Sequence, residues 1–241
     1  MAWTAVVAMR CAEAHEHVSA IADAVRSLLA ADQGVVLVSP GGAAGAATLA
    51  IGTTGAGRRA VPVIAHTLVD PADPAFAHPE EAFDPAPLGI LEAEAIAALV
   101  GSGFPVVVSG HVPVVPCGDA YQPVRAVLDD AAAAQRLAGD LGALALIFVV
   151  ADDPLQLVDT SAAGEINVDE AERLAADSTL APELRAAVRF LRAGGELAAI
   201  TTPSLMVAAL DGSGDDTRTL RIHRELARPR SDAPVLAAGW C

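Results

Sequence analysis

Several polar residues of this 241-residue chain interrupt or follow apolar runs, at points where the strands of an α/β protein would end. Ser109, Gly110 and His111 break one such run, and Asp152 follows Leu144–Val150, which contains no polar residue. A run of that kind is typical of a parallel strand that is covered on both faces. Because α/β proteins bind ligands at the carboxyl ends of their strands, these four residues are candidates for a ligand site.

A second candidate is the pair Gly41 and Gly42, which follows the predicted strand Gly34–Val38. Two glycines before a helix can hold an anion on backbone N–H groups, although a plain strand-to-helix turn fits the same residues. His111 could bind an anionic group, or simply pack at a strand end. As a charged donor it would hold an anion less tightly as pH rises through its titration. The ligand that these residues indicate is therefore small and anionic.

Apolar runs and helical repeats predict the elements that position these candidates. Short runs rich in β-branched residues alternate with segments whose apolar positions recur at helical spacing, which predicts an α/β fold. A turn at Asp70 and the break at Ser109–Gly110 should lie at the same edge of the sheet. The predicted strands are Thr4–Met9, Gly34–Val38, Ala60–Val69, Phe104–Val108 resuming at Val112–Val115, Leu144–Val150, Leu197–Thr201 and an edge strand at Thr217–His223. The predicted helices are His15–Ala31, Leu91–Gly101, Ala126–Leu141, Val168–Ala176 and Ser204–Leu210. A proline-rich loop is predicted at His78–Leu88.

Four blocks of the sequence, in order, resemble the carbamate kinases of the amino acid kinase family. They are SGHVPVV with AVLDDAAAAQRLA and LALIFVVADD, VIAHTLVDPADPAFAHP, LEAEAIAALVGSG, and APELRAAVRFLRAGGELAAIT. They span most of the chain from Val61 to Thr201. The resemblance implies a three-layer α/β/α sandwich with a mostly parallel sheet. It also implies a loss of length, because the family has a longer segment after Gly52 and a lid subdomain after the proline-rich loop.

The first strand ends differently from that of the family. There, a glycine-glycine-asparagine turn contacts the transferred phosphoryl group, and the matching positions here are Arg10, Cys11 and Ala12. Glycine lets backbone N–H groups close on an oxyanion, which an arginine with its Cβ cannot copy. Arg10 is then either a solvated strand end, which we favour, or a replacement anion binder.

The family's charged catalytic positions are also altered. The resemblance places one family lysine at Asp130, the aspartate that orders the lysines at Ala131, and the second lysine at Glu183. The chain contains no lysine at all. Because phosphoryl transfer depends on positive charge around the transferred group, carboxylates at these positions oppose it. Asp129 and Asp130 fit a role in capping the helix.

Composition excludes some partners. The net charge of −15 argues against nucleic acid and anionic membranes, both of which need a basic surface. Three scattered cysteines favour free thiols in a reducing cytoplasm over a disulfide framework. We find no signal-peptide pattern, and the apolar runs are shorter than a membrane span.

These observations predict one amino acid kinase-like domain, with an acceptor-side lobe at 1–115, a nucleotide-side lobe at 116–230 and a flexible tail at 231–241. The predicted function is that of a cytoplasmic pseudoenzyme, which binds a small carbamoyl or anionic ligand or serves as a scaffold subunit, without a cofactor. A homodimer or a complex with another subunit is expected. The alternatives are a repurposed enzyme acting on a carbamoyl or amino acid substrate, and a divergent carbamate kinase that uses ATP and magnesium.

Overall fold

A sheet of ten strands runs through the described part of the chain. The structure is a computed structural model, and it describes residues 4–10, 14–39, 51–52, 57–72, 87–125, 128–158, 164–211 and 218–224. The candidates Gly41 and Gly42, the family positions Cys11 and Ala12, and the tail 231–241 lie outside the described residues.

Strands and helices alternate along the chain, as the sequence predicts. The strands are β1 Thr4–Met9, β2 Gly34–Val38, β3 Val61–Val69, β4 Pro87–Ile90, β5 Val106–Cys117, β6 Ala120–Pro123, β7 Ala145–Val149, β8 Glu165–Asn167, β9 Leu197–Thr201 and β10 Leu220–His223. The helices are α1 Ala14–Ala30, α2 Ala93–Gly101, α3 Asp130–Asp140, α4 Pro154–Leu157, α5 Val168–Leu174, α6 Ala181–Arg192 and, after a 3-10 turn at Pro203–Leu205, α7 Met206–Asp211.

The sheet is mostly parallel, which confirms the predicted fold class. Its strand order is β4-β3-β5-β2-β1-β7-β9-β10-β8, and β6 pairs with β5. Strands β1, β2, β3, β5, β7 and β9 run parallel to their neighbours, whereas β4, β6 and β10 pair antiparallel with β3, β5 and β9. The prediction of an edge strand at Thr217–His223 was wrong, because β8 pairs with β10 on its outer side. That pairing buries Ile166 and Ile222 completely, so a short strand forms in a stretch where the sequence predicted none.

Helices cover both faces of the central strands. In β1, Val6 and Ala8 pack into the core that α2, α3, α5 and α6 close, whereas Val7 and Met9 pack into the core under α1 and α7. A strand buried in this way tolerates no polar side chain on either face, which is why its sequence is a continuous apolar run. The α/β/α layering follows from these two cores, and it leaves the strand ends as the place for polar residues.

Strand β5 is longer than expected and carries a bulge where a turn was predicted. Val63 of β3 pairs with Val108, and Ala65 pairs with His111, so that a single β3 residue opposes the two residues Ser109 and Gly110. Gly110 has φ of +113°, a backbone conformation that other residues rarely adopt. The predicted glycine turn is therefore wrong: the strand continues through this point to Cys117.

The bulge also separates two features that were expected at one edge. Ser109 and Gly110 lie opposite the middle of β3, whereas Asp70 follows the end of β3 and accepts a hydrogen bond from the backbone N–H of Ala72 (2.8 Å). Both strands continue past the ends of β1 and β2, which a pattern of apolar runs could not reveal.

Other boundaries differ by a few residues. The helix expected from Ala126 begins at Asp130, because Asp129 takes the extended conformation of an N-cap. Pro87 and Leu88, expected in a loop, belong to β4. The sheet joins the stretches 1–115 and 116–230, and their assignment as separate lobes stays a prediction.

The bulge yields a first prediction. Gly110→Ala should lower the free energy of unfolding by about 1–3 kcal/mol, because alanine is strained at this positive φ. Gly139→Ala is the matched control: it lies inside α3, and an added Cβ there would meet no atom within 4 Å, so the change should be neutral or stabilising. Urea denaturation measures both. Equal stability of the Gly110→Ala protein and the wild type would contradict the strained bulge.

Candidate functional site

A cavity of about 200 Å³ lies where the carboxyl ends of β1, β2 and β7 meet the bulge of β5 and the first turns of α3 and α6. This is the edge at which α/β proteins bind ligands. The lining residues are Ala8, Met9, Arg10, Val38, Ser39, Gly110, His111, Asp129, Asp130, Ala131, Phe148, Val149, Val150, Pro182 and Glu183.

The cavity brings together residues that the sequence analysis took from distant segments. Two predicted site residues do not line it: Ser109, whose hydroxyl donates to the carbonyl of Val63 (3.3 Å), and the exposed Asp152. The predicted residues that do line it are Gly110 and His111 from the ligand candidates, and Arg10, Asp130, Ala131 and Glu183 from the altered family positions.

Glu183 is the most unusual residue of the cavity. It lies in the first turn of α6 and is only 7% exposed, yet its Oε2 has no hydrogen-bond partner among the described residues. Burial raises the pKa of its carboxyl above the ordinary value, and the Asp129 carboxylate adds to that. Its own backbone N–H and the Arg10 guanidinium act in the opposite direction. A negative charge at this position is thus incompletely compensated by its surroundings.

Arg10 is the cation closest to that carboxyl. Its Nε lies 3.8 Å from Oε1 of Glu183, and its Nη2 donates to the carbonyl of Thr179 (3.4 Å). Its side chain is 43% exposed, so the ion pair is partly screened by solvent. Arg10 is therefore more than a solvated strand end, because its guanidinium pairs with the carboxyl of Glu183 on α6. If Arg10 binds an anion, that anion shares the guanidinium with Glu183.

Two aspartates begin α3 with different environments. Asp129 is the N-cap, and its Oδ1 accepts from the backbone N–H groups of Ala131 (2.8 Å) and Ala132 (3.3 Å). This confirms the capping interpretation for Asp129. Asp130 occupies the first helical position, where partial burial and the adjacent Asp129 carboxylate raise its pKa.

His111 is neutral at physiological pH. Its Nδ1 shares a hydrogen bond with the buried hydroxyl of Thr67 (3.1 Å), and its Nε2 is buried without a partner among the described residues. Burial lowers the pKa of His111 to about 4, although the Glu92 carboxylate raises it slightly. This burial opposes a charged imidazole, and the expectation that His111 acts as a charged donor to a ligand stays a prediction.

Ser39 was not recognised from the sequence as a site residue. It is completely buried after β2, its backbone N–H donates to the carbonyl of Val108 (2.9 Å), and its hydroxyl has no partner among the described residues. The available signal was its place between an apolar strand and the Pro40-Gly41-Gly42 turn. A serine ahead of proline and glycine is too common in turns to be selected on that basis.

Three side chains that line the cavity, those of Glu183, His111 and Ser39, each have a buried polar atom without a partner among the described residues. Buried polar atoms are rarely left without a partner, so a polar ligand or ordered water is expected in this region. Within the described residues, no group of three or more histidine, cysteine, aspartate or glutamate side chains could hold a metal ion. No described helix is long and apolar enough to cross a membrane.

Comparison with known proteins agrees with this architecture. The carbamate kinase of Halobacterium salinarum is 38% identical over 144 residues, which are 55% of this chain and 47% of that protein. The carbamate kinase of Clostridium perfringens is 35% identical over 127 residues, 48% of this chain and 40% of that protein. A solved structure of Giardia lamblia carbamate kinase bound to AMP-PNP has a TM-score of 0.74 at 23% identity, covering 93% of this chain and 99% of that one.

The chain is similar to carbamate kinases in sequence and in fold. It spans about half the length of the curated relatives it matches. No family model matches it. The structural likeness confirms the amino acid kinase-like α/β/α fold, and the activity and ligands of this carbamate kinase-like chain are matters for proposal.

A second prediction tests the cap of α3. Asp129→Ala should lower the free energy of unfolding by about 1 kcal/mol, because two backbone N–H groups lose their acceptor. Asp129→Asn is the control, since its amide oxygen still accepts those bonds and most of the stability should remain. Thermal and urea denaturation compare the three proteins. An Asp129→Ala variant as stable as the asparagine variant would show that the cap contributes nothing.

The third prediction concerns His111. The pKa of folded His111 is about 4, below the ordinary 6.5, so the unfolded state binds this proton more tightly. Its contribution to stability should be constant above pH 6.5 and decline as pH falls towards 4. The imidazole resonances assigned to His111 by comparison with His111→Gln should keep their neutral positions at pH 5.5.

Stability measurements provide the control. Glu183 and Asp130 have raised pKa values and so favour the folded state as pH falls, with the opposite sign. The difference between wild type and His111→Gln isolates the imidazole: the wild type should lose stability relative to the variant between pH 6.5 and 4. A difference independent of pH would contradict the buried neutral histidine.

Proposed function

We propose that this carbamate kinase-like chain binds a small polar ligand in the cavity at the strand ends and does not transfer phosphoryl groups from ATP. The observation that carries the proposal is a single cavity at the strand ends, lined by Ser39, His111 and Glu183, each of which has a buried polar atom without a partner among the described residues. Pockets that combine apolar walls with a few polar side chains are the usual binding sites of small ligands.

The charges around the cavity argue against phosphoryl transfer. Arg10 is the only lysine or arginine among the described lining residues, and its guanidinium lies near Glu183. Asp130 and Glu183 present carboxyls whose raised pKa values show that added negative charge is unfavourable there. A polyphosphate would increase that repulsion, whereas transfer requires positive charge around the moving group.

The size and polarity of the cavity suit a carbamoyl-like molecule. Its volume of about 200 Å³ holds only a small ligand. A carbamoyl group has both N–H donors and a carbonyl acceptor, which complement the carboxyl of Glu183 and the hydroxyl of Ser39. The small anion also expected from the sequence is a weaker candidate, because Asp130 and Glu183 oppose it.

Three other roles remain proposals. A divergent kinase would use ATP and magnesium, and a repurposed enzyme would act on a carbamoyl or amino acid substrate at the same strand ends. A scaffold role in a homodimer or heteromeric complex is supported by large apolar side chains that are exposed in the described residues: Ile64, Leu88 and Tyr121.

The fourth prediction separates binding from phosphoryl transfer. Titration calorimetry with ATP and magnesium should show no saturable heat, and incubation with ATP and carbamate should yield no ADP above the no-protein blank. A thermal-shift screen of urea, acetamide, simple amino acids, carbamoyl phosphate and phosphate should give at least one compound that stabilises the wild type. Ser39→Ala and His111→Ala should reduce that stabilisation, because each removes a polar atom from the cavity.

Asp152→Ala is the matched control, since Asp152 does not line the cavity, and its response to ligand should equal that of the wild type. Saturable ATP binding with ADP formation would replace the proposal by the kinase alternative. A screen in which no compound stabilises the wild type would leave the scaffold role as the better account.

A further inference from the structure

The outer strands of the sheet, within the described residues, are β4, β8 and β6, and the first two are protected. The backbone N–H of Ile90 in β4 donates to Asp140 Oδ2 (2.8 Å), so a side chain of α3 covers that edge. Strand β8 has only 3 residues, begins with the charged Glu165 and ends at Asn167, the N-cap of α5. Shortness and charge are common means of preventing a second chain from pairing with an edge.

Strand β6 is an outer strand without a charged residue. Past Val114, strand β5 pairs with β6 only, among the described strands, so the two form a ribbon that extends beyond the sheet. We call Val114–Pro123 the β5–β6 ribbon, and every residue of it from Pro116 onwards is exposed. Asp119 is its single charged residue in a chain of net charge −15. Two copies of the chain, which repel each other elsewhere, can therefore approach each other here.

The hydrogen bonds of the ribbon decide which backbone groups of β6 point away from β5. The N–H of Val124 donates to the carbonyl of Pro113 (3.0 Å), and bonded pairs alternate with unbonded pairs along an antiparallel ladder. The pair of Tyr121 and Pro116 is therefore unbonded, so both the N–H and the C=O of Tyr121 point outward. Pro123 also points outward, but it offers only a carbonyl. The outer edge of β6 thus presents one donor and one acceptor on Tyr121, followed by a single acceptor.

We propose that the β6 strands of two copies of this chain pair antiparallel across a two-fold axis at Tyr121, which joins the two sheets edge to edge. The axis places Tyr121 opposite Tyr121 of the second copy, so each N–H meets the C=O of the other. A register with Pro123 opposite Tyr121 would leave the Tyr121 carbonyl without a donor. The inference concerns a different surface from the cavity and does not depend on the proposed ligand.

The side chains of the ribbon fit the same pairing. Tyr121 and Pro116 are cross-strand neighbours on one face of the ribbon, and Tyr121 is 52% exposed. The two-fold axis extends this pair into an apolar row of two prolines and two tyrosines across four strands. Asp119 comes to lie opposite Pro123 of the second copy, so the two Asp119 carboxylates are kept apart. The contact is small beside the roughly 1,000 Å² that a stable interface buries, so we expect a weak dimer that depends on concentration.

The fifth prediction tests this pairing in the wild-type protein. Tyr121 is the only tyrosine of the chain, so labelling with ¹⁵N-tyrosine gives a single backbone amide resonance. Analytical ultracentrifugation should show a monomer at low micromolar concentration and a dimer towards millimolar concentration. Over the same range the Tyr121 resonance should shift, and its exchange with solvent should slow, because the N–H becomes hydrogen-bonded. The mass of one chain at every concentration, or a dimer that leaves this resonance unchanged, would overturn the inference.

A charge exchange tests the register, because this axis places residue 121 opposite its own counterpart. Tyr121→Lys and Tyr121→Glu should each weaken dimerisation roughly tenfold or more, since like charges come to lie opposite each other. An equimolar mixture should form mixed dimers more tightly than either variant alone, because lysine then faces glutamate. Leu144→Lys is the matched control: Leu144 is also an exposed apolar residue, but it lies at the amino end of β7, away from the ribbon, and this variant should dimerise like the wild type.

Circular dichroism shows whether each variant is folded, and the labelled wild type decides the question for any variant that is not. Dimerisation of both charge variants as tight as that of the wild type would overturn the proposed interface. A mixture that is no tighter than the variants alone would overturn the two-fold register. These experiments use the protein without ligand, so their failure leaves the small-ligand function standing, and the thermal-shift screen tests that function separately.

Discussion

The burial of the central strands on both faces is the constraint from which the rest of the structure follows. Strands β1, β2 and β7 are covered by helices on both sides, so all of their buried side chains are apolar. Polar chemistry is then possible only where these strands stop, and parallel pairing brings those ends to one edge. The cavity forms there because the first turns of α3 and α6 return to the same edge, each carrying carboxylates.

The parts of the fold that depend on periodicity were predictable from the sequence. Strands Thr4–Met9, Gly34–Val38 and Leu197–Thr201 have the predicted bounds, because a run of buried residues ends abruptly at a polar residue or glycine. Which strands pair with each other was harder to predict from the sequence. Nothing in Glu165–Asn167 marks a strand, and it becomes one only because β10 presents a free edge next to it. The bulge of β5 was read as a turn, since Ser109-Gly110 is compatible with both.

The sequence indicated several of the residues that line the cavity but not their environment. The altered positions Arg10, Asp130 and Glu183 were selected through a family resemblance, and the structure places them around one cavity. Burial decides the rest: the sequence cannot show that Glu183 is enclosed, or that burial beside Thr67 lowers the pKa of His111. These properties arise from packing between segments more than 40 residues apart, which no local pattern encodes.

The bulge at Gly110 decides on which face of the sheet His111 lies, because it adds one residue to β5. In a regular strand, residues three apart point to opposite faces, yet Val108 and His111 pair with Val63 and Ala65, which are two apart and share a face. Deletion of one residue at the bulge would therefore move the side chains of His111 and the rest of β5 to the opposite face of the sheet. The imidazole would leave the cavity although no other residue was substituted. A one-residue insertion or deletion here would change which side chains of β5 line the cavity, whereas a substitution that keeps the bulge would leave the register unchanged.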